Sequence, residues 1–110
     1  MANIFKLKTK AYVGVTSENV YVVPSNPVTT TTVIGITLAN VSGSGCLVGV
    51  GVTRASTDDV KLLKNVPIPQ GSSLEFMQGN KIVLETTDTL TVDSDTNNSI
   101  DVSLTIMEMT

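Results

Sequence analysis

Apolar residues recur at every second position along this chain, in blocks separated by turn-forming residues. In "TVIGITLAN" (32–40), Ile34, Ile36 and Leu38 fall in one phase, and Val33, Gly35, Thr37 and Ala39 in the other. "CLVGVGVT" (46–53) sets Cys46, Val48, Val50 and Val52 against Gly49, Gly51 and Thr53. "SIDVSLTIME" (99–108) alternates Ile100, Val102, Leu104 and Ile106 with Asp101, Ser103 and Thr105. Successive side chains of a strand point to opposite faces, so this pattern predicts strands with one face in a core and one in water. The residue types agree: Val, Ile and Thr dominate, and their branched Cβ suits a pleated surface.

The interruptions carry turn chemistry. "PSNPVTT" (24–30) holds two prolines, and "SGSG" (42–45) joins two strong strands as a hairpin connection; "RASTDD" (54–59), "PIPQGS" (67–72) and "QGN" (78–80) follow. Strands are expected near 3–10, 18–23, 31–41, 45–53, 59–66, 72–77, 80–85, 88–93 and 99–108. No window of ten or more residues has helical periodicity free of Gly, Pro or β-branched interruption. Short strands at this spacing predict an all-β fold, a single antiparallel β-sandwich or jelly-roll-like domain. Residues 11–110 form that domain, and residues 1–10 are an N-terminal arm or edge strand. The expected core is Ile34, Ile36, Leu38, Val48, Val50, Leu84, Val92, Val102 and Leu104.

A chain of 110 residues is long enough for one core without disulfides, and Cys46 is its only cysteine. Its place in an apolar run reads as a small core side chain, and a lone thiol fits synthesis in a reducing cytosol. The opening "MANIFKLKTK" lacks the apolar centre of a signal peptide, and no stretch approaches bilayer-spanning length. The net charge of −3, scattered lysines and 4% aromatic content argue against a nucleic-acid partner, which needs a basic face or stacking platforms.

"DSDTNN" (93–98) begins like a calcium loop, with Asp93, Asp95 and Asn97 at alternate positions. Where such a loop needs glycine stands Asn98, and where it needs a bidentate glutamate stands Leu104. The segment therefore reads as the turn of a hairpin, a weak non-standard cation site being the alternative. The chain has no histidine, which removes Ser–His and Cys–His nucleophile pairs and histidine-bound zinc. The carboxylate pairs Asp58–Asp59 and Asp93–Asp95 fall in expected turns, where solvated acids make poor general acids. "GVGVTR" lacks the GK[ST] of a phosphate loop, and the Asn–X–Ser triplets at 40 and 97 carry no meaning without secretion. No catalytic residue, metal ligand or cofactor site is expected, and the protein is not expected to be an enzyme.

Two features point to a partner instead. Ile4, Phe5 and Leu7 make the amino-terminal segment apolar. Met107 and Met109 make the last strand apolar on the face opposite Ile106. These five residues are the candidate subunit interface; the alternative is ordinary strands covered by neighbouring loops.

The opening "MANIFK", "VYVVP" before a Thr-rich segment, "TVIGITLANVSGSG", "LLKNVPIPQGSSLEFMQGNKIVLETTDTL" and the closing "SIDVSLTIME" together resemble small virion structural proteins of tailed phages, particularly those of marine cyanobacteria. The resemblance covers most of the chain and consists of β-turn phrasing with no site motif. It implies a β-sandwich subunit of the particle, made in the host cytoplasm, with no enzymatic activity, no cofactor and no membrane partner. Capsid decoration or cement is the first expectation, with the major capsid protein as partner and a homo-oligomer, a trimer in particular. A neck, tail or fibre-base adaptor is the second. A carbohydrate-binding module is the third, ranked last because only Phe5, Tyr12, Tyr21 and Phe76 could stack on sugars.

Overall fold

A computed structural model describes residues 3–54, 59–75 and 81–110. They contain nine strands: β1 Asn3–Val13, β2 Glu18–Val22, β3 Thr30–Asn40, β4 Cys46–Thr53, β5 Val60–Ile68, β6 Ser73–Glu75, β7 Ile82–Leu84, β8 Thr89–Ser94 and β9 Ile100–Met109. One sheet has the order β1-β9-β3-β6, with β7 pairing a different stretch of the β3 edge from β6. The other has the order β2-β8-β4-β5. All pairings are antiparallel, and the two sheets enclose one core, as the alternation predicts for a sandwich.

Eight of the nine expected core residues are buried: Ile36, Leu38, Val48, Val50, Leu84, Val92, Val102 and Leu104. Ile34 is the exception. The β3–β9 register shifts between Val33 and Gly35, so Ile34 is an extra residue in a bulge. The bulge reverses the side-chain phase. Val33 faces the core on one side of it and Ile36 and Leu38 on the other, while Ile34 is half-buried. The single phase expected from Ile34 to Leu38 is thus corrected to two half-strands.

Other boundaries differ from expectation; β1, expected to end near residue 10, runs to Val13. β5 continues through Pro67 to Ile68, where a turn was expected. β5 is an edge strand, and Leu47, opposite Pro67, donates its N–H to the Asp95 carboxylate and accepts the Asp95 N–H at its C=O, so the missing proline N–H costs no ladder bond. β8 runs through Ser94, and the following turn begins at Asp95. Residues 55–58 of the turn expected at 54–59, Asp58 among them, the turn expected at 78–80, and Phe76 lie outside the described residues.

Neither 42–45 nor 93–98 is the hairpin turn expected: the first crosses from β3 of one sheet to β4 of the other, and the second from β8 back to β9. The 42–45 connection is fixed by a buried asparagine. Asn40 Nδ2 donates to the carbonyls of Ser44 and Ile68, both at 2.9 Å. Its Oδ1 accepts from the Ser42 N–H at 2.9 Å and the Ser42 hydroxyl at 2.7 Å. Every polar valence of this side chain is used, as burial requires.

Candidate functional site

Of the two carboxylates of the 93–98 segment, that of Asp95 is committed to the fold. Asp93, next to last in β8, lies over Gly49 of the neighbouring strand, so close that a Cβ there would sit 2.5 Å from Asp93 Oδ1. Asp95 Oδ1 accepts the Leu47 N–H at 2.9 Å and the Thr96 hydroxyl at 3.0 Å. These bonds, the Leu47 N–H first, hold the Asp95 carboxyl below its usual range. Asn98 takes φ +51°, the left-handed conformation an asparagine tolerates in a turn. Among the described residues, no three acidic, thiol or imidazole groups stand where they could share a metal ion. Cys46 is a buried free thiol.

A shallow hollow of about 190 Å³ at this end of the sandwich is lined by Cys46, Leu47, Pro67, Ile68, Pro69 and Asp95. Its walls are apolar, and its one carboxylate is already held by Leu47 and Thr96. It lacks the converging polar groups that orient a substrate. Arg54 is paired to Asp88 Oδ1 at 3.2 Å and Glu85 Oε1 at 2.7 Å, Asp88 contributing most to raising its pKa. Asp88 also accepts the Glu85 N–H, so the group clamps the 85–88 turn.

The outer face of the β1-β9-β3 sheet is different. Cross-strand pairing sets Phe5 opposite Met107, Met107 opposite Thr32, and Thr32 opposite Val83, in one row across four strands. Directly opposed residues share a face, so these four side chains form a band. Phe5 is 70% exposed and Val83 59%. Leu7, opposite Thr105, extends the band in one direction and is 65% exposed. Met109, opposite Asn3 and Thr30, extends it in the other. Met107 and Met109 are half-buried by their neighbours in the sheet.

The structure therefore brings Phe5, Leu7, Met107 and Met109 together on one surface. Ile4 lies in the other phase, in register with Glu108, and is 47% exposed. Val83 belongs to the band but has no signal in its own segment: three apolar residues in a row, Ile82–Leu84, do not reveal which one faces out.

Behind the band sits a buried polar cluster. Glu108 takes the core-facing phase of β9 and is 5% exposed. Its Oε1 pairs with Lys6 Nζ at 2.8 Å, and its Oε2 accepts from the Tyr21 hydroxyl at 2.5 Å. The Tyr21 hydroxyl is also 2.8 Å from Thr31 Oγ1. Lys6 first, and then Tyr21, hold the Glu108 carboxyl below its usual range against the opposing effect of burial. Burial and the adjacent carboxylate push the Tyr21 phenol above its own. The cluster ties β1, β9 and β3 of one sheet to β2 of the other, which holds the exposed end of β1 in place.

No protein-family model matches this sequence, and no curated protein matches it. Comparison of folds finds solved structures built the same way. A chain of the Bacillus endospore appendages, described as disulfide-linked pili, superposes with TM-score 0.59 at 13% identity over 98% of this chain and 88% of its own length. A chain of the acid-stable capsid structure of Helicobacter pylori bacteriophage KHP30 superposes with TM-score 0.58 at 12% identity over 99% and 89%. At such identities the likeness is one of fold: a sandwich matched over nearly its whole length.

Proposed function

We propose that this protein is a non-enzymatic structural subunit of a virion, and specifically a capsid decoration or cement subunit that binds the phage shell, with the major capsid protein as its partner. The observation that carries the reading is the apolar band of Phe5, Leu7, Val83 and Met107 on one sheet face, in a domain where Asp88, Asp95 and Glu108 are engaged in holding turns and strands. Exposed apolar area of this kind marks a surface that another protein covers. The sequence resemblance to small tailed-phage virion proteins and the shared fold with a chain of a phage capsid structure support the choice of assembly. Copies would associate through the band in a small ring, a trimer in particular, since closed cyclic symmetry uses one patch repeatedly. Synthesis in the host cytoplasm and incorporation into the particle follow from the same reading.

The likeness to a pilus chain supports a second reading within the same class, a neck, tail or fibre-base adaptor present in few copies. Immunogold labelling of purified particles with an antibody to this chain separates the two. Label spread over the shell is the expected result. Label confined to one vertex or the tail favours the adaptor. Particles without label overturn the virion assignment.

A further inference from the structure

Among the described residues, the first strand is hydrogen-bonded on one side only. β1 pairs with β9, and no described strand pairs its other edge. Free edges invite pairing with other chains, and proteins blunt them by shortness, bulges, proline or charge. The remaining edges here are blunted. β6 and β7 have three residues each, and β2 has five with a register shift between Asn19 and Tyr21. β5 pairs through register shifts on both sides of Val50 and contains Pro67. β1 alone presents a long regular edge: its register with β9 is unbroken from Asn3 to Lys10, without glycine or proline. That is about 27 Å of strand.

The side chains along this edge select its partner. One face carries Phe5 and Leu7. The other carries Lys6, Lys8 and Lys10, opposite Ile106, Leu104 and Val102. Lys6 is paired to Glu108 at 2.8 Å and Lys10 to Glu18 at 3.4 Å, while Lys8 makes no ion pair among the described residues.

A second copy of β1 is a poor occupant. Two antiparallel strands related by a two-fold axis keep like faces on one side, so the lysine faces of the two copies coincide. Centring the pair on residue 6 opposes Lys6 to its own copy, centring on 7 opposes Lys6 to Lys8, and centring on 8 opposes Lys8 to its own copy. Like charges directly opposed destabilise a sheet.

We infer that the free edge of β1, residues 3–10, receives by strand addition an extended segment of another protein in which acidic side chains alternate with apolar ones. An acidic residue opposite Lys8 completes the lysine row, and apolar residues beside Phe5 and Leu7 lengthen the band. Main-chain bonds supply the attachment, and the alternating side chains supply the choice of partner. The inference goes beyond the virion reading and holds whether or not the partner is a shell protein.

The test uses the purified full chain, isotopically labelled for amide spectroscopy. The probe is an eight-residue peptide alternating glutamate with valine or threonine, and the control replaces every glutamate by lysine. The expected result is saturable binding of the acidic peptide, with shifts and slowed exchange of amides in residues 3–10. Binding should weaken with salt, fall about tenfold in Lys8→Glu and fall less in Lys8→Gln. The lysine peptide should not bind. Equal binding of both peptides, changes centred on β5 instead of β1, no binding at millimolar peptide, or unaltered affinity in both Lys8 variants would each overturn the inference. Spectra of the variants away from β1 check that the fold is retained, and Lys8→Gln gives the reading if Lys8→Glu does not fold.

Discussion

Replacing Lys6 by methionine should remove a stabilising contact that is present at neutral pH and lost in acid. The substitution keeps an unbranched stem and removes the cation 2.8 Å from Glu108 Oε1. Lys6 is the largest influence holding the Glu108 carboxyl below its usual range. In the wild type that depressed pKa means a stabilising contribution present above the unfolded-state pKa and lost as pH falls through the folded one. Without Lys6, the Tyr21 hydrogen bond still outweighs burial, so the Glu108 carboxyl stays below its usual range, by less than in the wild type. The sign is unchanged and the contribution smaller: the variant falls below wild type above the unfolded-state pKa and converges with it in acid.

The size follows from the two environments. Lys6 is 40% exposed, so its half of the pair is screened and is worth about 1 kcal/mol or less. Glu108 is buried, and leaving its charge with only Tyr21 as partner costs a further amount of about 1–3 kcal/mol near pH 7. For a domain of this size each kcal/mol moves the melting temperature by about 4 °C. Thermal unfolding from about pH 3 to pH 8 should show the variant close to wild type at the acid end and about 4–15 °C lower at neutral pH. Adding Glu108→Gln to Lys6→Met should remove most of the pH dependence. Parallel wild-type and Lys6→Met curves across this range would refute the electrostatic account of the cluster.

Other outcomes follow from the same structure. Ile36→Ala should cost about 2–4 kcal/mol in denaturant unfolding and Ile34→Ala distinctly less, because the bulge takes Ile34 out of the core; equal costs would contradict the bulge. Thr87 holds φ +70°, a conformation costly for a β-branched residue, so Thr87→Gly should raise the melting temperature, and a marked fall would show the strain to be absent. Melting temperatures in millimolar calcium and in excess chelator should coincide, since Asp95 is engaged by Leu47 and Thr96; a calcium-dependent rise abolished by Asp95→Ala would restore the metal reading. Light scattering should find a small oligomer for the wild type and a monomer for Met107→Asp/Met109→Asp; identical masses would remove those residues from the contact.

The strands were legible because their chemistry is local. Alternation from Cys46 to Val52 and from Ile100 to Ile106 survives intact in β4 and β9, where no bulge falls within those stretches of the core face. The bulge at Ile34 was not legible: in Val33-Ile34-Gly35-Ile36 either phase can supply apolar residues, and pairing with β9 decides between them. The role of Glu108 was hidden for a related reason. Its position in the core phase of β9 is visible, but its partner Tyr21 lies 87 residues away and meets it only through the packing of the two sheets. Phe5 and Met107 could each be named as surface apolar residues, whereas their direct opposition, and the arrival of Val83 in the same row, are products of register. The lysine row shows the same limit. Lys6, Lys8 and Lys10 alternate in the sequence, but only the topology makes theirs the long open edge.

A particle reconstruction in which this chain can be traced tests the central claim most directly, that the protein works by being covered on its apolar band. The account predicts the chain on the shell, with Phe5, Leu7, Val83 and Met107 buried against another copy or a shell protein. A particle lacking the chain, or one in which that face lies open to solvent while another surface makes every contact, would contradict it.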